Sequence, residues 1–378
     1  MDLGLSEEQE LLKNFARDFL EKECTESVVR EMEEDEKGYS PQLWKGMADQ
    51  GWQGLIIPPE YGGSGMGFLD LVILVEEFGR ALVPGSFLST QVGGAIPLLD
   101  WGSEAQKKEF LPKIAVGEQI WTLAMTEPSG RFDAGGVEME AKAEGDKFVL
   151  NGTKLFIRDS HVADYMTVAV RTSKGAKAED GITLLVVDAK SPGITNTALA
   201  TIGSDKQNEV KFENVAVPKA NVLGEVDKGW AALNKVLLKA AALECAYLVG
   251  LAQMDFEITV NYAKERVQFG RPIGSFQAIQ HKCADMVTDV DGCRFIMYRA
   301  GWSVAEGEPD AEQLVHMAKA WCCEASRRVV AHGQQIHGGI GFTKDYKIQL
   351  YFRRQKMAEL MWGDADFHRE LAAQSLGM

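Results

Sequence analysis

The stretch YAKERVQFGRPIGSFQAIQ, residues 262–280, decides the fold that this sequence predicts. It is typical of a helix that ends near Arg266, followed by a sharp turn at Phe269 and Gly270 and by a proline, which cannot continue the first helix. A second helix is expected to begin near Gln277. Two guanidinium groups around a glycine turn, next to a helix N-terminus, are suited to an anion such as a pyrophosphate.

A second stretch, QQIHGGIGF at residues 334–342, has a glycine pattern that lets a ligand or another backbone come close to the chain. An apolar helix face runs into two adjacent glycines, Gly338 and Gly339, and then into a third. Glycines lack the Cβ atoms that would keep another backbone or a flat ligand at a distance. The segment therefore favours close contact with such a ligand or backbone.

The composition is that of an ordinary soluble globular protein, and 378 residues are enough for two or three domains. The formal net charge of −15 argues against nucleic acid or an anionic membrane as the main partner. No apolar run approaches the roughly 20 residues that span a bilayer, and the N-terminus lacks the features of a signal peptide. The six cysteines form no C-x-x-C pair, so we expect free thiols in a reducing cytoplasm.

The first 119 residues are predicted to form a helical domain. Ser6 and Gln9 fit a capping box, and apolar residues follow them at helical spacing. A turn-rich loop at residues 56–65 interrupts the helical pattern. Apolar helices are expected at residues 68–82 and 86–99.

A β-domain is predicted at residues 120–225, where the pattern changes from helical to alternating and turn signals follow at short intervals. The dipeptides Gly145-Asp146 and Asn151-Gly152 support hairpins. The pattern is helical again from Gly229, which predicts a third domain at residues 226–378. The main expected strands are residues 148–150, 154–157, 165–170, 182–187 and 210–217.

Together, the R-x-x-F-G-x-P-I turn with its F-Q helix start and the Q-I-x-G-G-x-G-F segment resemble the acyl-CoA dehydrogenase family of flavoproteins. The E-Y-G-G-x-G loop that begins at Glu60 belongs to the same likeness, which extends over nearly the whole chain. The resemblance implies an α+β fold with an N-terminal helical domain, a central β-sandwich or barrel domain and a C-terminal four-helix bundle domain. It also implies FAD as the cofactor, an acyl-CoA substrate and electron transfer to an electron-transferring flavoprotein.

The resemblance further implies which residues contact FAD and substrate. WTLAMTEPSGRFD, residues 121–133, matches a strand and loop that contact the flavin ring, and KLFIRDS, residues 154–160, matches a Trp-Ile-Thr segment that packs on it. The implied FAD contacts are Met125, Thr126, Phe156, Ile157, Arg158, Arg266, Phe269 and Gln277, with Gln335, Gly338 and Gly339 from a neighbouring subunit. The implied substrate contacts are Gln91, Phe132 and Trp362. A homotetramer, or a heterotetramer with a homologous subunit, follows because this family builds its FAD site across a dimer.

Several residues depart from the family pattern in these segments. Phe156 replaces the Trp as an aromatic wall. Arg158 replaces the Thr, and a cation near flavin N5 would stabilise reduced, anionic flavin and raise its potential. The alternative is that Arg158 turns outward to solvent. Arg131 and Phe132 stand where the family has Gly-Ser, so a serine contact to substrate is lost.

The histidines are not expected to be catalytic or to bind metal. His337 is predicted to be a packed helix residue. His332 and His368 have no metal-ligand partners at suitable spacing, so no metal is implied.

The carboxylate that takes the substrate α-proton in this family is missing from both of its usual positions. Aligned on Gly363, the Glu of a Tyr-Glu-Gly-Thr stretch is replaced by Trp362. Some members place the Glu on the helix before Gly-Leu-Ala-Gln. Counting back from Gly250, those positions hold Ala240 and Ala241.

Three explanations of the missing base remain open. Asp364, two residues from the usual site, is a candidate displaced base, although two residues along an extended turn normally reverse the side-chain direction. Glu244, one helical turn beyond Ala241 and on a similar face, is a second candidate. The third explanation is a hetero-oligomer with a homologous catalytic subunit. The bulky Trp362 either fills an unused pocket or forms the wall of one built for a bulky or cyclic acyl group.

The sequence therefore predicts a cytoplasmic FAD-dependent acyl-CoA dehydrogenase, or a subunit of one. Two alternatives stay open. One is a non-catalytic partner subunit of a hetero-oligomeric acyl-CoA dehydrogenase. The other is a flavin monooxygenase or oxidase on the same fold, in which this Glu is also unnecessary.

Overall fold

The helical, β, helical order predicted from the sequence is confirmed in the computed structural model, which describes residues 4–378. The helices before the sheets are α1 (Glu7–Glu23), α2 (Glu26–Glu34), α3 (Pro41–Asp49), α4 (Phe68–Ala81), α5 (Phe87–Thr90), α6 (Ile96–Trp101) and α7 (Glu104–Ala115). The strands that follow are β1 (Trp121–Ala124), β2 (Ala141–Glu144), β3 (Lys147–Arg158), β4 (Tyr165–Arg171), β5 (Ile182–Asp188), β6 (Ile194–Leu199), β7 (Gln207–Pro218) and β8 (Val222–Leu223). The last elements are α8 (Gly229–Glu265), β9 (Val267–Gln268), β10 (Arg271–Pro272), α9 (Gln277–Glu306), α10 (Ala311–His337), α11 (Ile348–Leu360) and α12 (Ala365–Ser375).

Local signals determine the start of the first helix. Ser6 Oγ accepts a hydrogen bond from Gln9 N at 3.2 Å, and the Gln9 side chain accepts one from Ser6 N at 3.1 Å. The predicted capping box of α1 is therefore confirmed.

Two four-stranded sheets form the β-domain. One has the order β1-β4-β5-β8, with β1 and β4 parallel and the other pairs antiparallel. The other has the order β2-β3-β7-β6 and is antiparallel throughout. Strand β1 contacts β3, and β5 contacts β7, so the sheets face each other as a sandwich.

One of the two predicted hairpin turns is confirmed and the other is wrong. Gly145 and Asp146 join β2 to β3. Gly152 instead lies inside β3, which pairs with β7 on both sides of it, and the pairing register shifts between Leu150 and Gly152. Because Asn151 Oδ1 accepts a hydrogen bond from Asn214 N across the strands at 2.9 Å, the dipeptide forms a bulge and no hairpin.

The helix predicted at residues 86–99 is divided by a π-helical segment, Gln91–Ala95. Its backbone lies directly on β1, since a Cβ added to Gly93 would be 2.1 Å from the carbonyl carbon of Thr122. Thr167 Oγ1 donates to the Gly93 carbonyl at 2.6 Å. The widened turn therefore brings helix and sheet backbones into contact, which a side chain at Gly93 would prevent.

The chain forms two compact units. One comprises the described residues up to Arg30, with Gly67–Val83 and Ala240–Met378, and the other comprises Glu31–Met66 and Pro84–Lys239. The first unit is helical apart from the β9–β10 hairpin, and α9 and α10 pack along each other in it. Its core includes Ala252, Ala263, Met286, Val290, Val329 and Ile336.

Two buried carboxylates of α4, Glu76 and Glu77, are paired with cations. Glu76 accepts from Lys13 Nζ at 2.7 Å and lies 3.1 Å from Arg294 Nε, while Glu77 accepts from Arg17 at 2.7 and 2.9 Å. These pairs connect α4 to α1 and α9. Because a buried carboxylate without a partner is costly, the pairs specify how these helices pack.

Helix α8 corrects the expectation that no apolar run reaches bilayer length. It is long and apolar enough to cross a membrane by length and composition alone. However, 83% of its most apolar 18-residue window is buried inside the structure. The helix therefore has the character of a core element.

A buried acid on α8 gives a pH-dependent prediction. Asp255 is fully buried, and within residues 4–378 neither carboxylate oxygen has a hydrogen-bond partner. Burial raises the pKa of Asp255 well above its usual value, and the nearby Thr259 hydroxyl offsets this only in part. The acid is therefore held neutral in the folded chain at a pH where it ionises in the unfolded chain.

We expect Asp255→Asn to match the wild-type stability near pH 4 and to exceed it increasingly as the pH rises. Above the unfolded pKa of about 3.9, wild type loses about 1.4 kcal/mol of unfolding free energy per pH unit until the folded pKa is reached. Urea denaturation at several pH values measures this difference. The exposed Asp366→Asn on α12 serves as the control and is expected to show no such trend. A constant difference for Asp255→Asn would contradict the prediction.

Candidate active site

The end of β1 carries the first two residues implied to contact the flavin, Met125 and Thr126. Both are buried. The Met125 carbonyl accepts a hydrogen bond from Lys154 Nζ at 3.0 Å, and the Thr126 carbonyl accepts one from Leu155 N at 2.8 Å. The backbone at the end of β1 is therefore tied directly to β3.

A buried ion pair lies behind this backbone. Lys154 Nζ is 2.6 Å from Glu127 Oε1, and the same oxygen accepts hydrogen bonds from Glu138 N and Met139 N at 3.0 Å each. Burial lowers the pKa of Lys154, and the Glu127 carboxylate opposes that shift. The pair therefore fixes the position of residues 125–127 relative to β3.

Strand β3 ends in a strained turn that presents an aromatic ring. Phe156 has φ +58° and Asp159 has φ +56°, and the register with β7 shifts between Lys154 and Ile157. Positive φ is costly for residues other than glycine, and it persists where surrounding contacts impose it. As a result Ile157 is buried while the Phe156 ring is 51% exposed.

Arg158 lies against an acid. Its side chain is 12% exposed, and its Nε is 3.7 Å from Asp205 Oδ2. Its carbonyl accepts a hydrogen bond from Thr122 Oγ1 at 2.6 Å. Arg158 therefore does not extend into solvent, which was one of the two alternatives for this residue.

Asp159 is a candidate site residue that the sequence interpretation missed. It is buried, and Ser89 Oγ of α5 donates a hydrogen bond to Asp159 Oδ2. Burial raises the pKa of Asp159, while this hydrogen bond and the charge of Arg158 oppose the shift. Nothing in the local sequence signals the pairing, because Ser89 and Asp159 are far apart along the chain.

Two implied substrate residues lie in the same unit. Gln91 is fully buried in the π-helical segment, and its Nε2 donates to the Gln53 carbonyl at 2.9 Å. Phe132 is half-buried in the loop where Arg131 and Asp133 pair at 2.7 Å. Gln91 thus has a structural hydrogen bond, and Phe132 lies on a more exposed loop.

In the helical unit, the predicted turn after α8 is present as the β9–β10 hairpin. Phe269 has φ +53°, Gly270 has φ +79°, and the Phe269 ring is 92% exposed. Arg266 is exposed, and Gln277 is the exposed first residue of α9. The hairpin therefore brings an accessible cation and amide to one end of α8 and α9.

The glycine segment follows α10. A Cβ added to Gly338 or Gly339 would have no atom within 4 Å, so the backbone there is open on one side. Gln335 is exposed on α10, whereas His337 is buried and stacks on Tyr262 at 4.3 Å between ring centroids. Burial lowers the pKa of His337, and its Nδ1 is 2.7 Å from the Gly333 carbonyl.

The loop around Trp362, which the sequence predicts to align with the family's usual base, is held by its main chain. Lys319 Nζ donates to the Gly363 and Glu359 carbonyls at 2.9 and 3.0 Å. His368 Nε2 lies 2.9 Å from the Trp362 carbonyl, and burial lowers the pKa of His368 to about 3, so the ring is neutral. Trp362 itself has φ +61° and is half-buried.

The two candidate bases have different surroundings. Asp364 is exposed and is the N-cap of α12, where its Oδ1 accepts a hydrogen bond from Phe367 N at 2.9 Å. Glu244 is 1% exposed on α8, as are Ala240 and Ala241 one turn earlier. Asp364 is thus already used in a structural role, and Glu244 is enclosed. In the described part of the chain, no group of three His, Cys, Asp or Glu side chains could hold a metal ion.

Comparison with known proteins identifies the family. Three family models match consecutive parts of the chain: the acyl-CoA dehydrogenase N-terminal domain at residues 6–118, middle domain at 122–215 and C-terminal domain at 227–377. The chain is 35% identical to the 3-(aryl)acrylate reductase of Clostridium sporogenes over 98% of its own length and 99% of that protein. It is 36% identical to the caffeyl-CoA reductase-Etf complex subunit CarC of Acetobacterium woodii over 92% of each chain.

A solved structure agrees with these sequence matches. The butyryl-CoA dehydrogenase of Megasphaera elsdenii superimposes with a TM-score of 0.92 at 30% identity and covers 100% of both chains. The three-domain architecture expected from the resemblance, with helical outer domains and a middle β-domain, is confirmed. The chain therefore belongs to the acyl-CoA dehydrogenase family.

Proposed function

We propose that this chain interconverts a CoA thioester and its α,β-unsaturated counterpart, with an aryl or cyclic acyl group as its substrate class. Members of the family are FAD-dependent oxidoreductases, and FAD is the cofactor of this chain. The observation that carries the flavin chemistry is the fixed turn at residues 156–158, which exposes the Phe156 ring one residue beyond the Leu155–Thr126 backbone bond. Such a surface is suited to a flat, planar ring system.

Each unit, taken by itself, contains residues that fit FAD. The Phe156 ring is available for stacking, and the open backbone at Gly338 and Gly339 leaves room for close approach. Arg266 supplies an accessible cation for a pyrophosphate. When bound, FAD supplies the two-electron acceptor or donor that exchanges hydride with the substrate β-carbon. Gln277 and Gln335 are proposed to bind its adenosine side.

The substrate class rests on Trp362, the residue predicted at the usual base position. Trp362 is half-buried where family members commonly have a smaller, charged Glu. An indole there offers an aromatic wall to an acyl group with a ring. The names of two relatives refer to aryl and caffeyl substrates, which supports the same class.

We assign proton exchange at the substrate α-carbon to Glu244 in preference to Asp364. Glu244 is enclosed, whereas the Asp364 carboxylate caps α12. Glu244→Gln is expected to lower the rate of flavin reduction by substrate about 10²- to 10⁴-fold with FAD still bound. Stopped-flow absorbance under anaerobic conditions measures this. Asp364→Asn is the matched control, and a larger loss from that variant would reverse the assignment.

Electrons are proposed to pass between this flavin and an electron-transferring flavoprotein in the cytoplasm. The name of the Acetobacterium relative includes such a complex. All six cysteines are free thiols in the structure, which is compatible with a reducing compartment. A tetramer is proposed because it is typical of the family, and the exposed rings of Phe269 and Phe342 offer apolar surface for a neighbouring chain to cover.

A second candidate function is a non-catalytic partner subunit. It is favoured by the absence of the usual carboxylate, since Ala240, Ala241 and Trp362 occupy the positions where members carry it. This candidate predicts little bound flavin when the chain is produced alone, and flavin recovered on co-production with a homologous subunit.

The deciding experiment is an anaerobic titration of the protein, produced alone, with straight-chain, branched, cyclic and aryl acyl-CoAs and their unsaturated forms. We expect saturated ring thioesters to bleach the flavin absorbance. We expect the absorbance to recover when the reduced protein is mixed with the unsaturated forms. Protein that is colourless favours the partner-subunit function. Yellow protein that no thioester changes, and that oxygen reoxidises rapidly after chemical reduction, favours an oxidase or monooxygenase.

A further inference from the structure

Arg158 and Asp159, at the end of β3, form a cluster of charged side chains with Asp205. Arg158 Nε lies 3.7 Å from Asp205 Oδ2, and the two side chains are only 12% and 11% exposed. Asp159 follows Arg158 directly, and the charge of Arg158 acts on its pKa. One guanidinium therefore stands next to two acids in a largely enclosed place, where charge interactions are stronger than at an open surface.

Asp205 is fixed by its own hydrogen bonds. Its Oδ1 accepts from Thr201 Oγ1 at 2.7 Å, and its Oδ2 accepts from Gln207 Nε2 at 2.7 Å. Gln207 is the residue of β7 that pairs with Arg158 of β3. The position of the carboxylate relative to Arg158 is thus set by the sheet register and does not depend on a flexible surface contact.

The backbone of the turn is fixed as well. Thr122 Oγ1 donates to the Arg158 carbonyl at 2.6 Å, and Asp159 N donates to the Lys206 carbonyl at 2.9 Å. These bonds hold the positive φ values of Phe156 and Asp159. The backbone that carries the Arg158 side chain is consequently fixed.

We propose that Asp205 is a positioning residue that compensates the charge of Arg158 and so keeps the reduction potential of the bound flavin low. The inference rests on the proposed function. Reduction adds two electrons and one proton to the flavin ring, which leaves it with one more negative charge. A bare cation nearby stabilises that charge and raises the potential, whereas a cation already paired with a carboxylate does so much less.

The compensation bears on how readily the flavin donates electrons. A flavin at lower potential is the stronger electron donor, so loss of Asp205 would weaken the reduced flavin as a donor to an unsaturated thioester. Two electrons and two protons are added across the Cα–Cβ double bond, as a hydride from the reduced flavin to Cβ and a proton to Cα. The electron-transferring flavoprotein supplies the electrons that reduce the flavin again.

The test is the midpoint potential of the purified holoenzyme, measured anaerobically against reference dyes. Asp205→Asn is expected to favour reduced flavin about tenfold, which is about 30 mV for a two-electron couple. Arg158→Met is expected to shift the equilibrium in the opposite direction by a similar factor. The double variant is expected to return to within about threefold of wild type, because the two charges are removed together.

Glu209→Gln is the matched control, since Glu209 pairs with Lys211 on β7 at the same 3.7 Å but in a more exposed place. It is expected to leave the potential unchanged. An unchanged potential in Asp205→Asn, or a double variant shifted as far as Asp205→Asn, overturns the inference. If Asp205→Asn does not fold, Arg158→Met decides alone, and a raised or unchanged potential in it overturns the inference. Wild type that binds no FAD would instead reject the proposed function.

Discussion

Gly250→Ala is expected to lower the free energy of unfolding by about 3 kcal/mol or more. A Cβ at Gly250 of α8 would lie 1.7 Å from the Glu76 carbonyl oxygen of α4, and a Cβ at Gly79 of α4 would lie 2.0 Å from the Tyr247 carbonyl oxygen of α8. Each helix thus places a glycine against the backbone of the other. A backbone carbonyl cannot move aside as a side chain does, so the helices have to separate.

Separation of α4 and α8 would also disturb the buried pairs that Glu76 and Glu77 make with α1 and α9. Thermal and urea denaturation, followed by circular dichroism, measure the loss. Gly292→Ala on α9 is the matched control, because its nearest atom would be Trp321 Nε1 at an ordinary 3.4 Å. That variant is expected to be neutral or stabilised by up to about 1 kcal/mol through helix propensity. Equal stability of the two variants would show that α4 and α8 are not in backbone contact.

Lys154→Met is expected to cost about 3–5 kcal/mol of unfolding free energy and to release most of the flavin. The substitution leaves the Glu127 carboxylate buried without its cation and removes the hydrogen bond to the Met125 carbonyl. The backbone of residues 125 and 126 would then lose one of its two ties to β3. Denaturation measures the first effect, and the ratio of flavin to protein absorbance measures the second.

Two further variants separate the buried charge from a general effect of losing a lysine. Lys190→Met removes the cation of the exposed Lys190–Asp164 pair, and a change of less than about 1 kcal/mol is expected. When Lys154→Met is combined with Glu127→Gln, the uncompensated charge is gone, while the introduced amide oxygen remains an acceptor for the backbone N–H groups of residues 138 and 139. This double variant is expected to recover much of the stability. A double variant no better than Lys154→Met would refute the charge-based explanation.

The sequence predicts correctly the features that depend on only a few neighbouring residues. The capping box of Ser6 and the turn at Gly145 depend only on adjacent backbone, and both are present. The turn at Phe269 and Gly270 was likewise visible, because a glycine and a proline limit the backbone there. The fold class followed from the periodicities of the three parts and from the family likeness.

Features that depend on distant partners could not be predicted. Asn151 and Gly152 have the composition of a hairpin turn, but pairing of β3 with β7 on both sides overrides it. The hydrogen bond of Asp159 depends on Ser89 of another element, and the ion pair of Arg158 depends on Asp205 in the loop before the neighbouring strand β7. The π-helical segment at Gln91 similarly reflects contact with β1, which no periodicity encodes.

The hydrogen bonds that fix the loop at Trp362 do not depend on the identity of the side chain at that position. Lys319 and His368 hold the carbonyls of Gly363 and Trp362, and Asp364 caps the next helix, so none of these bonds involves the indole. During evolution, an acidic and an aromatic residue can therefore replace each other at this position while the loop keeps its main-chain hydrogen bonds. A substitution at this position therefore needs no compensating substitutions in the loop, unlike a substitution of a residue embedded in the core.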